Sequence, residues 1–146
     1  MDHLVGRIVA AIEELGIWND TILLFTADNG TGGEGKGTPT ELGARVPMIV
    51  YGPGRVQPMG TSDALVDMSD VFPTLVELSG ASLPVGHPVD GMSIVPILRG
   101  QQTDTREWIF SYLADRRVLR TKRWLLENNS PNDFGRLYDC GTSRDG

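Results

Sequence analysis

The sequence predicts an α/β sheet domain over residues 1–100, followed by a small antiparallel β subdomain over residues 101–146. Three observations point there. Ile22, Leu23, Leu24 and Phe25 form a short continuous apolar run, which suits a strand covered on both faces, as in a parallel sheet flanked by helices. Residues 2–16 and 67–78 carry apolar side chains at helical spacing. Beyond Gln101 the texture changes to short strand-like runs joined by short turns.

The elements follow in order. In residues 2–16, Leu4, Val5, Ile8, Val9, Ile12 and Leu15 share one face, Asp2 can cap the start and Gly16 ends the helix. His3 has no partner at ligand spacing and reads as a surface residue. Residues 17–20 lead into the central strand. A second buried strand, 47–51, is ended by Gly52-Pro53-Gly54. Arg45, just before it, is expected in an ion pair with Glu41. The helix over 67–78 presents Val71, Phe72, Leu75, Val76 and Leu78, with Ser69 or Asp70 as cap and Pro73 in the first turn. Asp63 and Asp67 read as surface or capping residues.

Residues 80–92 are rich in glycine and proline and form a connection that leaves His87 in an exposed loop. A short helix, 94–98, precedes four short strands at 108–112, 117–121, 122–127 and 137–139. Arg116, Arg117, Arg120, Lys122 and Arg123 form the only basic cluster. Exposed strand faces and edge positions account for it more simply than nucleic acid does.

Composition narrows the function classes. The chain has 146 residues and a net charge of −6. An acidic chain is a poor general binder of nucleic acid or anionic membrane. No stretch approaches the roughly 20 apolar residues of a membrane span. Residues 1–20 do not read as a signal peptide, because Glu13, Glu14 and Asp20 interrupt them. The single cysteine, Cys140, excludes an internal disulfide framework and leaves the compartment open. Nothing in the sequence sets an oligomeric state.

The chemistry concentrates in residues 21–36, TILLFTADNGTGGEGK. Asp28 and Asn29 fall where the apolar strand stops, and ligands sit outside the carboxyl ends of such strands. Four readings compete. An Asn29-Gly30 hairpin lacks an alternating second strand directly after it. A phosphate-binding loop matches Gly30 to Lys36, but Gly37 replaces the required Ser or Thr, and Pro39, Gly43 and Pro47 break the helix that should follow. Asp28 and Asn29 could hold a hard cation that polarises an oxyanion, with Lys36 adding a flexible point charge. Alternatively, Asp28 only caps a turn. Residue types alone leave the last two readings level.

The segments TILLFTADNG and GKGTPTELGARVP resemble the sulfatase family of the alkaline-phosphatase superfamily. That family carries a strand ending in Asp-Asn-Gly, then a Lys-Gly-x-x-x-Glu-Gly-Gly-x-Arg-x-Pro segment. By position, the resemblance implies that Asp28 and Asn29 are ligands of a catalytic cation, usually Ca²⁺ with Mg²⁺ as the second candidate. It implies that Lys36 binds the sulfate group, and that Glu41, Gly43, Arg45 and Pro47 support the loop. Leu42 departs from the family's glycine. SDVFPTLVELSG, DGMSIVPILRG and the RTKRWLL and RLYD runs are similar to the family's architectural segments.

The family pattern is much longer than this chain. The resemblance therefore implies the C-terminal portion of a sulfatase-like α/β sheet domain plus a small antiparallel β subdomain, with Met1 as an internal methionine. The family's nucleophile is a formylglycine made from Cys or Ser in a C-x-P-x-R motif, expected upstream. Cys140 to Arg144 is a near match with Thr142 in place of proline, but at the wrong end of the chain. Cys140 reads as an ordinary thiol.

The expectation is thus a fragment of a sulfate-ester hydrolase that is inactive alone. Its partner would be a sulfate-ester substrate, and family members are often periplasmic or extracellular. A phosphatase or phosphodiesterase of the same superfamily is the alternative, as is a non-catalytic remnant. Asn29 speaks against a two-zinc phosphatase, since an amide oxygen suits a harder ion.

Overall fold

The computed structural model describes residues 1–30, 32, 35–38 and 40–141. Part of the Gly30–Lys36 loop and the Thr142–Arg144 half of the cysteine motif lie outside the described residues. Helix α1, Asp2–Glu14, opens the chain, with Asp2 in its first turn and Met1 at the cap position. Ile12 is buried, Val5 and Val9 are half-buried, and Leu4, Ile8 and Leu15 are exposed.

Strand β1, Leu23–Thr26, pairs with β2, Met48–Tyr51. The pairing is antiparallel, Leu23 opposite Tyr51 and Thr26 opposite Met48. This differs from the parallel arrangement suggested by the apolar run. A parallel neighbour needs a crossover of about a dozen residues, usually a helix. Among the described residues of the connection over 27–47, the helix present is α2, Glu41–Ala44, with four residues. The same Pro39, Gly43 and Pro47 that exclude a phosphate-loop helix exclude a crossover helix.

The core lies on the inner face of β2. Met48 and Val50 point in, whereas Ile49 and Tyr51 point out. Met48 and Val50, with Val56, Ala64 and Val66, pack against Ile94, Ile97 and Leu98. Those three belong to helix α4, Val95–Leu98, and the residue before it. On the outer side, Tyr51 meets Trp18 edge to face at 5.0 Å between ring centroids.

The expected helix over 67–78 splits. A 3₁₀ turn, Met68–Asp70, leads into α3, Val71–Ser79. Asp70 holds the cap position of α3, without a side-chain bond to it, and Asp67 caps the 3₁₀ turn. The Asp67 carboxylate accepts from Ser69 N–H at 2.8 Å, and Asp70 accepts from Asp67 N–H at 2.8 Å. Gly80, at φ 72°, closes α3 in the left-handed conformation. The inward face also differs from the apolar stripe, because Phe72 and Leu75 are exposed while Pro73 and Thr74 are buried. Thr74 faces inward for a polar reason: its hydroxyl donates to Asp70 O at 2.6 Å and accepts from Ile94 N–H at 3.0 Å.

Asp70 is fully buried and charged, so it must be compensated. Its carboxylate accepts from Met92 N–H at 2.7 Å and pairs with Arg106. It thereby ties the start of α3, the approach to α4 and the approach to the C-terminal strands.

Those strands are β3 (Trp108–Leu113), β4 (Arg116–Thr121), β5 (Trp124–Asn128) and β6 (Arg136–Asp139), one antiparallel meander in chain order. The expected strand over 122–127 starts later. Lys122 and Arg123 form the bend, with the Thr121 hydroxyl accepting from Trp124 N–H at 2.8 Å. Val118 and Leu125 are buried on the face toward the rest of the protein. Among the described residues, no helix is long and apolar enough to cross a membrane.

Candidate functional site

The site grows out of the end of β1. Beyond Thr26 the chain leaves the sheet through Ala27 and an exposed Asp28. Asn29 is half-buried, and its amide Nδ2 donates to Gly30 O at 2.8 Å. That bond commits the amide nitrogen locally and leaves the oxygen, Oδ1, as the remaining acceptor.

Gly30 fixes where this corner goes. Its N–H donates to Gly43 O at 2.9 Å. A Cβ on Gly30 would stand 1.8 Å from Leu42 O, so backbone meets backbone there and only glycine fits. Gly43 is crowded from the other side. A Cβ on it would lie 2.0 Å from Thr38 O and 2.6 Å from Gly35 O.

The Gly35 carbonyl in turn accepts from Thr38 N–H at 3.1 Å and from the Thr38 hydroxyl at 2.8 Å. This closes a tight turn with Lys36 and Gly37 at its tip, both exposed. Gly37, at φ 78°, needs glycine for its left-handed backbone. Three backbone segments thus meet at buried Gly43. One carries Asp28 and Asn29, one carries Lys36, and the third is α2 itself.

Among the described residues, no hydrogen bond or ion pair joins Lys36 to Asp28 or Asn29; what they share is the backbone neighbour Gly43. Among the described residues, neither the Asp28 carboxylate nor the Lys36 ammonium has a hydrogen bond or ion pair. Their charges are exposed and uncommitted.

The donors suit a hard divalent cation in kind, being one carboxylate and one amide oxygen. They fall short in number, since Ca²⁺ takes about 6 to 8 oxygens. Among the described residues, no cluster of three or more His, Cys, Asp or Glu side chains could hold a metal.

Helix α2 has its own supports. Arg45 does pair with Glu41, but at 3.9 Å. The nearer cation is Arg120 of β4, whose Nε lies 3.5 Å from Glu41 Oε1. Glu127 of β5 accepts from Glu41 N–H at 2.9 Å. Neither Arg120 nor Glu127 is among the site residues that the sequence motifs point to. A usable signal existed: Arg120 alternates with buried Val118, and Glu127 with buried Leu125, which places both on the inward face.

Other members of the basic cluster are also paired, Lys122 with Asp104 at 2.5 Å and Arg123 with Asp139 at 2.7 Å. His87 is exposed in its loop. Cys140 is a free, half-buried thiol whose N–H donates to Arg123 O at 2.8 Å.

Comparison with known proteins identifies the family and the fold. The family model described as Sulfatase matches residues 1–81. Steryl-sulfatase of Mus musculus is 36% identical over 85% of this chain and 23% of its own length. Arylsulfatase A of Homo sapiens is 37% identical over 77% of this chain and 24% of its own length. The chain therefore spans about a quarter of the length of these relatives.

Among solved structures, the phosphonate monoester hydrolase SpPMH from Silicibacter pomeroyi superposes with a TM-score of 0.79 at 26% identity. It covers 95% of this chain and 32% of that one. BT4656, solved with its substrate D-glucosamine-2-N,6-O-disulfate, gives 0.80 at 24% identity over 94% of this chain and 31% of that one, a likeness of fold. With its helices, its two antiparallel sheets and a family model matching more than half its residues, the chain belongs to the sulfatase family and corresponds to the C-terminal part of a larger domain.

Proposed function

We propose that this chain is the part of a sulfate-ester hydrolase that contributes two metal ligands and a sulfate-binding lysine. Asp28 and Asn29 would hold the cation, Ca²⁺ first and Mg²⁺ second, through one carboxylate and one amide oxygen. When bound, such an ion acts as a Lewis acid on the oxyanion.

Lys36 places an ammonium on a sulfate oxygen, neutralising part of its charge and fixing its orientation. With its Nδ2 donated to Gly30 O, Asn29 would offer its Oδ1 as the metal donor. Gly30 and Gly43 set the spacing of the two loops through close backbone contact that no larger residue permits. The observation that carries this reading is that meeting of both loops on Gly43.

The remaining chemistry comes from outside these residues. Two oxygen donors and a lysine supply neither a nucleophile nor a leaving-group acid. The formylglycine of the family belongs to a segment beyond this chain, and Cys140, at the end of β6, is not its source. The division into a sheet domain over 1–100 and a subdomain over 101–146 belongs to the same reading.

The test uses the full-length polypeptide with an aryl sulfate. Lys36→Ala lowers turnover by on the order of a hundredfold while thermal unfolding is unchanged. Turnover equal to the unaltered protein removes Lys36 from the site. The 146-residue chain alone is expected to release no sulfate.

A further inference from the structure

We propose that Glu127 and Arg120, on the C-terminal sheet, are positioning residues for the loops carrying Asn29 and Lys36, acting through Glu41 and α2. The role of those loops rests on the function proposed above; the mechanical link does not.

A four-residue helix has no stability of its own, so α2 stands only where tertiary contacts hold it. Its cap residue, Thr40, makes no side-chain bond to the helix start. The Thr40 hydroxyl is engaged instead with that of Thr38 at 2.9 Å. The free N–H at the start of α2 is satisfied by Glu127 Oε1, a carboxylate far along the chain. A carboxylate at this end of a helix also favours the exposed backbone amides electrostatically.

Arg120 completes the clamp. Its side chain is only 12% exposed, and its Nε faces the Glu41 carboxylate. A second guanidinium nitrogen, Nη1, is buried with no hydrogen-bond partner among the described residues. Losing the Glu41 carboxylate would leave this buried guanidinium without its counter-charge, which is costly.

The chain of contacts then runs in one direction. Glu127 and Arg120 hold Glu41, which starts α2. Gly43 of α2 receives the Gly30 N–H and is packed against the carbonyls of Gly35 and Thr38. Loosening α2 therefore loosens both loops together.

Amide hydrogen exchange of the full-length polypeptide, isotope-labelled over residues 1–146 and followed by NMR without metal or substrate, tests this. Glu127→Met keeps the length of the side chain and removes the acceptor. It should raise exchange at Glu41, Gly43 and Gly30 by about tenfold, the effect of one charge-assisted hydrogen bond. The β4–β5 ladder should keep its protection. Glu127→Gln retains an acceptor oxygen and should restore all three amides to within about threefold of the unaltered chain.

Unchanged exchange at Gly30 overturns the proposal, as does faster exchange spread over the β4–β5 ladder, or a glutamine variant that behaves like the methionine one. None of these outcomes bears on whether Lys36 binds sulfate. A failure of the Lys36→Ala turnover test would, conversely, leave the exchange result standing.

Discussion

The backbone N–H of Gly30 donates to the carbonyl of Gly43 at 2.9 Å, with no side chain between them. Asn29 precedes the donor, and the acceptor is packed against the turn that carries Lys36. A methyl group at either glycine would overlap backbone oxygen, at 1.8 Å for Gly30 and 2.0 Å for Gly43. Gly30→Ala and Gly43→Ala should each cost about 3 kcal/mol, the upper range for forced overpacking. Gly6→Ala, in α1 with open space around it, should instead stabilise by about 0.5–1 kcal/mol. Urea unfolding of the three variants checks both signs.

Asp70 and Arg106 form a buried ion pair, with Asp70 fully buried and Arg106 at 13% side-chain exposure. Removing one partner leaves an unpaired buried charge. Arg106→Leu should destabilise by about 3–5 kcal/mol. Replacing both together, Asp70→Asn with Arg106→Leu, should cost less than the sum of the single changes. Denaturant titration of the four proteins measures that coupling, and strict additivity would contradict it.

Asp139 gives a pH signature at the far end of the chain. Its carboxylate is lowered from 3.8 to about 2, first by the hydrogen bonds from Arg123 and then by the Gly141 N–H. The bonds from Arg123 Nε and Nη2 measure 2.9 and 2.7 Å. Because the folded pKa lies below the unfolded one, the stabilisation is complete above the unfolded pKa. It is lost as pH falls through the folded value, between about pH 4 and pH 2. Arg123→Gln should return the Asp139 titration midpoint toward 3.8, read by carboxyl carbon NMR.

Local pattern carried the strands and the punctuation. The run from Ile22 to Phe25 ends where β1 ends to within a residue, and Asn29-Gly30 marks the corner that leaves the sheet. Pairing direction was not legible, because an apolar run looks alike in either kind of sheet. The connection decides it, and α2 is too short to cross over. The split at Asp70 was hidden for a different reason. Asp67 caps a 3₁₀ turn through Ser69, and only the fold brings Arg106 to the carboxylate that results. Arg120 looked like one more surface cation because its partner, Glu41, comes from a distant element. Asp28, Asn29 and Lys36 could be named from the sequence, but their shared dependence on Gly43 needed coordinates.

The most direct measurement is an amide NMR titration of the full-length polypeptide, isotope-labelled over residues 1–146, with CaCl₂ and then with sodium sulfate in the presence of Ca²⁺. If Asp28, Asn29 and Lys36 form one site, Ca²⁺ shifts the amides of Asp28, Asn29 and Gly30, and sulfate then shifts Lys36 and Gly37. Shifts confined to other acidic surfaces, with residues 28–30 and 36–37 unmoved, would contradict it.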